Sequence, residues 1–252
     1  MKKILIRADD LGFSRGINLG IADSVRAGLI QSVGLMPNME NAQEGVEMIK
    51  DYGVCLGQHT NICAGRPLSD PKLIPSLVQE NGEFKTSKEY RENFGNGNDI
   101  VDVNEAVIEI EAQYQEFKKL TGEKPHYFEG HAIASMNFMK ALSIVAQKHD
   151  LKMFPVGFDA KPMQYADKLL RMTIDSMGPD YDPYASLKKL VMDEDESVID
   201  IFVAHPGYLD AYILKVSSLT VNRTKEVEML TDPEMIRWIN NQKVELITYD
   251  EL

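Results

Sequence analysis

The sequence predicts an α/β fold in which strands and helices alternate around a parallel sheet, as one domain with two insertions. Three observations carry this. Short apolar, β-branched runs recur between longer helical patterns. Residues able to do chemistry fall just after several of those runs. No repeat, low-complexity tract or shift in composition marks a linker.

Seven runs read as strands: "KILIRA" (3 to 8), "QSVGLM" (31 to 36), "GVCLGQH" (53 to 59), "HYFEG" (126 to 130), "LKMFPV" (151 to 156), "IDIFVA" (199 to 204) and "VELITY" (244 to 249). The clearest helix covers 103 to 121. There Val103, Val107, Ile110, Tyr114 and Phe117 recur at alternating steps of four and three, "DVNE" forms a capping box, and Gly122 stops the run. Further helices are expected at 16 to 27, 41 to 50, 136 to 148 and 232 to 241. Residues 62 to 101 and 157 to 197 exceed the usual strand-to-helix connection and follow strands, so they are expected to rise from one face as lids or ligand walls, with "NFGNGND" (93 to 99) flexible.

Bulk composition narrows the function. A net charge of -12 over 252 residues argues against nucleic acid or an anionic membrane as partner and favours a neutral or cationic small ligand. The two cysteines, Cys55 and Cys63, form no CxxC pair and read as free thiols of a reducing cytoplasm. The amino terminus lacks the apolar core of a signal peptide, and no run of about 18 apolar residues occurs, so a soluble, cytoplasmic protein is expected.

The polar residues are unevenly placed. Asp9 and Asp10 end the first strand, His59 the third, and His131 and His205 follow the fourth and sixth. Adjacent carboxylates at the edge of a core repel, so a cation, a helix N-terminus or solvent must hold them. Each feature alone has a plain alternative: histidines bond backbone, "HPG" is a turn, and Asp10 could cap a helix. Their coincidence on one rim favours chemistry. One carboxylate and two imidazoles suit a catalytic divalent metal, a second carboxylate can take the proton of the attacking water, and a protonated His205 can serve the leaving amine. His126 and His149, at a strand start and a helix end, are expected to be structural. Asn61 is a candidate for binding substrate or for turning the chain, and Cys63 is a weaker thiolate candidate. Tyr165, Tyr181 and Tyr184 are candidates for stacking on a sugar, and Trp238 for the core.

At these residues the chain resembles the YdjC-like, or ChbG/HpnK, carbohydrate deacetylase family. The blocks "ADDLGFSRGINLGI", "GVCLGQHTNI", "KPHYFEGHAIA", "VAHPGYLD" and "NRTKEVEMLTDPEMIRWINNQKVELITY" match in order. The resemblance implies an irregular seven-stranded β/α barrel and one divalent metal, magnesium or zinc. It implies removal of an acetyl group from an N-acetylglucosamine unit of a chitooligosaccharide such as diacetylchitobiose, and some tendency of copies to associate. Carried over, Asp10, His59 and His131 are metal ligands, Asp9 the base and His205 the acid. Asn61, Glu129, Tyr208 and Arg223 are expected to bind substrate. The fourth-strand block departs from the family, reading "EGHAI" where "DSHHH" or "DSHQH" is common, so an altered surrounding of the metal is expected. A 2-His-1-carboxylate iron oxygenase and a non-catalytic sugar-binding protein remain as alternatives.

Overall fold

A computed structural model of the chain describes residues 1–154 and 160–252. Among the described residues eight strands form one sheet: β1 (Lys2–Leu11), β2 (Ser32–Leu35), β3 (Cys55–Thr60), β4 (Phe128–Gly130), β5 (Met163–Tyr165), β6 (Lys168–Thr173), β7 (Val198–Ala204) and β8 (Val244–Leu246). Their order is β4-β3-β2-β1-β7-β6-β5, with β8 beside the start of β1. Every pair is parallel except the β5–β6 hairpin.

The sheet curls into a half-barrel, and both of its faces are apolar and covered. One face gives Ile4, Ile6, Ala8, Val33, Leu35, Leu56, Phe202 and Ala204 to a core shared with the helices. These are chiefly α1 (Arg15–Ala27), α2 (Ala42–Ile49), α8 (Val221–Thr231) and α9 (Pro233–Asn240). The inner face contributes Leu5, Cys55, Tyr127, Leu170, Met172, Ile201 and Val203, closed from below by Ile247 and Tyr249. Residues two apart share a face. The same inner rows therefore end in Asp9, His59, Glu129, His131 and His205.

The helix at α4 (Val103–Thr121) spans the predicted residues, with Asp102 accepting from the backbone N–H groups of Asn104 and Glu105 and Gly122 left-handed at φ 83°, but Glu105 accepts from the Ser76 N–H at 2.6 Å and does not close the expected capping box. Six of the seven expected runs are strands, and β1 runs three residues further, through Asp9 and Asp10 to Leu11. Of the seventh, "LKMFPV", only Met153 bridges to Phe128, and residues 155 and 156 lie outside the described residues, as do 157 to 159 of the second insertion.

The expected insertions are built of ordered elements. Beyond residue 160 the second one supplies β5, β6 and α6 (Pro183–Val191), and β6 pairs with β7 over five positions. The hairpin turns through Ala166 at φ 49°, without the glycine or asparagine that marks such turns in a sequence. In the first, Ile62, Ile74, Leu77, Phe84, Tyr90 and Val101 are buried against α4 and α5 (Met136–His149). Part of "NFGNGND" is the last turn of α3 (Ser87–Gly95), and Asp99 accepts from the Ser135 hydroxyl at 2.7 Å and the Asn137 amide at 2.9 Å. The short helix α7 (Ala211–Val216) completes the fold. Among the described residues no helix is long and apolar enough to cross a membrane.

Candidate metal centre

Strand alternation would turn Asp9 and Asp10 to opposite faces. A register shift between β1 and β2 after Ala8, with Asp10 at φ 78°, resolves this: the irregularity brings both carboxylates to the inner rim. A non-glycine residue held in that region is strained, and such strain persists where the surroundings fix it. Here Arg223 fixes it, its Nη2 donating to Asp10 Oδ2 at 2.7 Å, with both side chains buried.

Three donor atoms then converge. His59 Nε2 lies 2.9 Å from His131 Nδ1 and 3.3 Å from Asp10 Oδ1, and His131 Nδ1 lies 3.1 Å from the same oxygen. Ligands about 2.0–2.2 Å from a shared ion stand roughly 2.8 to 3.6 Å apart for right-angled to tetrahedral geometry, so the triangle has the size of one face of a coordination shell. Asp10 Oδ1 and Asp9 Oδ1 are buried and make no hydrogen bond. A cation would satisfy the first, and the residues present fit a divalent ion.

Behind the triangle stands a charged chain. Glu129 Oε1 is 3.1 Å from His59 Nδ1, and Arg7 joins Glu129 Oε2 at 2.5 Å to Asp9 Oδ2 at 2.7 Å. Arg7 Nη1 also donates to the Tyr249 hydroxyl at 2.8 Å, and the guanidinium lies 5.9 Å from the centroids of both the Tyr127 and Tyr249 rings, which stack on each other at 4.0 Å. Gly34 makes room for this cluster: a Cβ there would meet Asp9 Oδ1 at 3.0 Å and the His59 Cβ at 3.1 Å.

Burial and neighbouring charge set the protonation of the metal-free centre. Burial raises the Asp10 carboxyl, but Arg223 and then His131 overcome it and hold Asp10 well below the usual range. Asp9 is raised, because burial outweighs Arg7 and Glu129 adds repulsion. Glu129 is lowered: burial opposes its charge, and Arg7 and His59 favour it. Burial opposes the charge on His59, yet the neighbouring carboxylates of Asp9, Glu129 and Asp10 carry it up to about 10. His205 goes the other way, burial pushing it down to about 4 against the pull of Asp10 and Asp9. Burial thus opposes the imidazolium form expected at His205.

His205 is firmly placed. Its N–H donates to Glu226 Oε2 at 2.7 Å, its carbonyl accepts from Arg223 Nη1 at 3.3 Å, and its Nδ1 is 3.2 Å from the Ser176 hydroxyl. Protein partners already occupy several residues expected to meet substrate. Arg223 gives its other donors to the Leu219 and His205 carbonyls, and Glu129 is taken by His59 and Arg7. Asn61 closes a turn, accepting from the N–H groups of Cys63 and Ala64 and donating to the Ala64 carbonyl. Tyr208 is exposed and donates to Asp23 on α1. Tyr181 and Tyr184 donate to Glu226 and Asp232, and Tyr165 packs on Phe154. His126 and His149 bond Asp250 and Glu111, the latter also stacking on Tyr114. Sequence reasoning missed Arg7, Ser176 and Glu226. Only Arg7 left a signal, as a charge inside an apolar strand two residues from Asp9.

The profile of the YdjC-like protein family matches residues 3–241. The chain belongs to the YdjC-like family. The Carbohydrate deacetylase 2 of Listeria innocua is 31% identical to it over 99% of this chain and 98% of its own length. The Carbohydrate deacetylase of Geobacillus stearothermophilus is 30% identical over 98% and 96%, and the Chitooligosaccharide deacetylase of Proteus mirabilis 28% over 99% and 98%. An Enterococcus faecalis protein provisionally described as a cellobiose-phosphate cleavage protein shares the fold at a TM-score of 0.80, with 22% identity over 99% of this chain and 98% of its own. A Streptococcus mutans CE4 esterase shares it more distantly, at a TM-score of 0.53 and 11% identity over 98% and 85%. In this YdjC-like chain the "EGHAI" block places a carboxylate, Glu129, on the candidate ligand His59.

Proposed function

We propose that the chain is a metal-dependent hydrolase that removes the acetyl group from an N-acetylglucosamine unit of a chitooligosaccharide such as diacetylchitobiose. The observation that carries this is the convergence of Asp10, His59 and His131 beside a second carboxylate, Asp9, whose Oδ1 is buried and unbonded. The names of the relatives over nearly the whole chain support the class of substrate. Two free thiols agree with a reducing, cytoplasmic setting.

Asp10, His59 and His131 would hold one divalent ion, magnesium or zinc. Such an ion polarises the amide carbonyl and lowers the pKa of water at the site. Asp9 takes the proton of the attacking water, a task suited to a carboxylate whose proton affinity is raised. Arg7 keeps that carboxylate in place while balancing Glu129. The bond from carbonyl carbon to nitrogen breaks, and the sugar nitrogen needs the proton that the water lost. His205 supplies an equivalent proton, taken up from solvent as substrate binds because the ring rests neutral, while Asp9 returns the water's proton to solvent; Ser176 sets the ring, and Glu226 and Arg223 the backbone. The test is metal analysis of the purified protein followed by acetate release from diacetylchitobiose. Stoichiometric metal with acetate release is expected. Iron without acetate would favour an oxygenase, and no metal a binding protein.

A further inference from the structure

We propose a second metal site, formed by Cys55, His126 and Asp250 at the opposite end of the strands from Asp10, that takes a thiophilic divalent ion such as zinc. One donor atom from each of the three lies within 4.8 Å of the others. Cys55 opens β3 and His59 is four residues further along it, so the two centres are separated by roughly 13 Å of extended strand.

The three donors come from different segments whose backbones are already fixed. Cys55 N–H donates to the Gln31 carbonyl at 2.9 Å, and His126 N–H to the Leu56 carbonyl at 2.9 Å. Asp250 sits in a short carboxy-terminal helical turn, where Lys152 Nζ bonds its carbonyl at 3.2 Å and leaves the carboxylate to His126. His126 Nδ1 faces Asp250 Oδ1 at 2.8 Å, while its Nε2 faces Glu123 Oε1 at 3.6 Å. An ion on Nδ1 would thus leave Nε2–H for Glu123, the carboxylate-to-histidine support typical of metal ligands, and the arrangement mirrors Glu129 behind His59.

A thiolate, an imidazole and a carboxylate select zinc or a similar borderline metal over magnesium or calcium. Coordination replaces the thiol proton, which leaves to solvent. His126 and Asp250, though not the buried Cys55, line a groove of about 1010 Å³ through which an ion would enter. Occupancy would brace the turn that holds Tyr249, whose hydroxyl accepts from Arg7, the residue that holds Asp9.

Cobalt separates the two centres without any activity measurement, since the Asp10 centre offers only oxygen and nitrogen. The full chain is stripped with a chelator and titrated with cobalt(II) while its near-ultraviolet spectrum is recorded. A thiolate-to-cobalt charge-transfer band is expected, retained in Asp10→Asn and Cys63→Ser and lost in Cys55→Ser. His126→Asn, a partly exposed change that leaves the thiol in place, is expected to lose it too, which guards against a misfolded Cys55 variant. Absence of the band in the unaltered chain overturns the assignment, as does a band that survives Cys55→Ser or is unchanged by His126→Asn.

Discussion

Arg223 on α8 donates to Asp10 on β1 at 2.7 Å across 213 residues of sequence, joining the last third of the chain to the candidate metal ligand. Both side chains are buried, so neither can be removed without leaving the other uncompensated. In the metal-free protein Arg223→Met should lower stability by about 3–5 kcal/mol, the usual cost of breaking a buried pair. Urea unfolding checks this, and a loss below about 1 kcal/mol would show that the pair is solvated.

The opposite shifts at His59 and His205 give the metal-free protein a stability optimum near the ordinary histidine range. His59 keeps its proton in the fold up to about 10, so its contribution is complete below 6.5 and fades as pH rises from 6.5 toward 10. His205 refuses a proton until about 4, so the unfolded chain gains protons first and stability falls as pH drops from 6.5 toward 4. Thermal melts of chelated protein should show both slopes, with His59→Asn abolishing the upper and His205→Asn the lower. Metal must displace the His59 proton, so apparent affinity should rise about tenfold per pH unit in the upper window.

Asp10→Asn should lose metal and activity together, because an amide is a poor anionic ligand. Asp9→Asn should keep the metal and lose turnover by roughly a hundredfold to ten-thousandfold, the contribution of a positioned base. Bound metal in the two variants decides between them. Retention in Asp10→Asn with loss in Asp9→Asn would exchange the roles.

Glu129 reaches no open position, and its bond to His59 Nδ1 leaves Nε2 for the ion. Glu129→Gln should therefore weaken metal binding by about 10–100-fold, as loss of such support does elsewhere, with KM for substrate little changed at saturating metal. A rise in KM with metal affinity intact would return Glu129 to the substrate-binding role expected from the sequence.

The sequence by itself determined the strands that carry the site and the rim on which it lies. Apolar runs of fixed parity point every second residue inward, and Asp9, His59, His131 and His205 fall at their ends. It also determined the family, through blocks spread along the chain. It concealed α8, because Arg223 and Glu226 lie on that helix's buried face and erase its apolar period. It concealed β5 and β6 as well, whose turn at Ala166 carries no glycine signal. Only the tertiary structure decided which way Asp10 points, since a shifted register and a positive φ override strand alternation and are held by an arginine 213 residues away. It alone decided that Glu129 stands behind His59 and Arg223 behind Asp10. A charged side chain reads the same in sequence whether it meets a sugar or a buried partner, and the burial that distinguishes the two exists only once distant segments pack together.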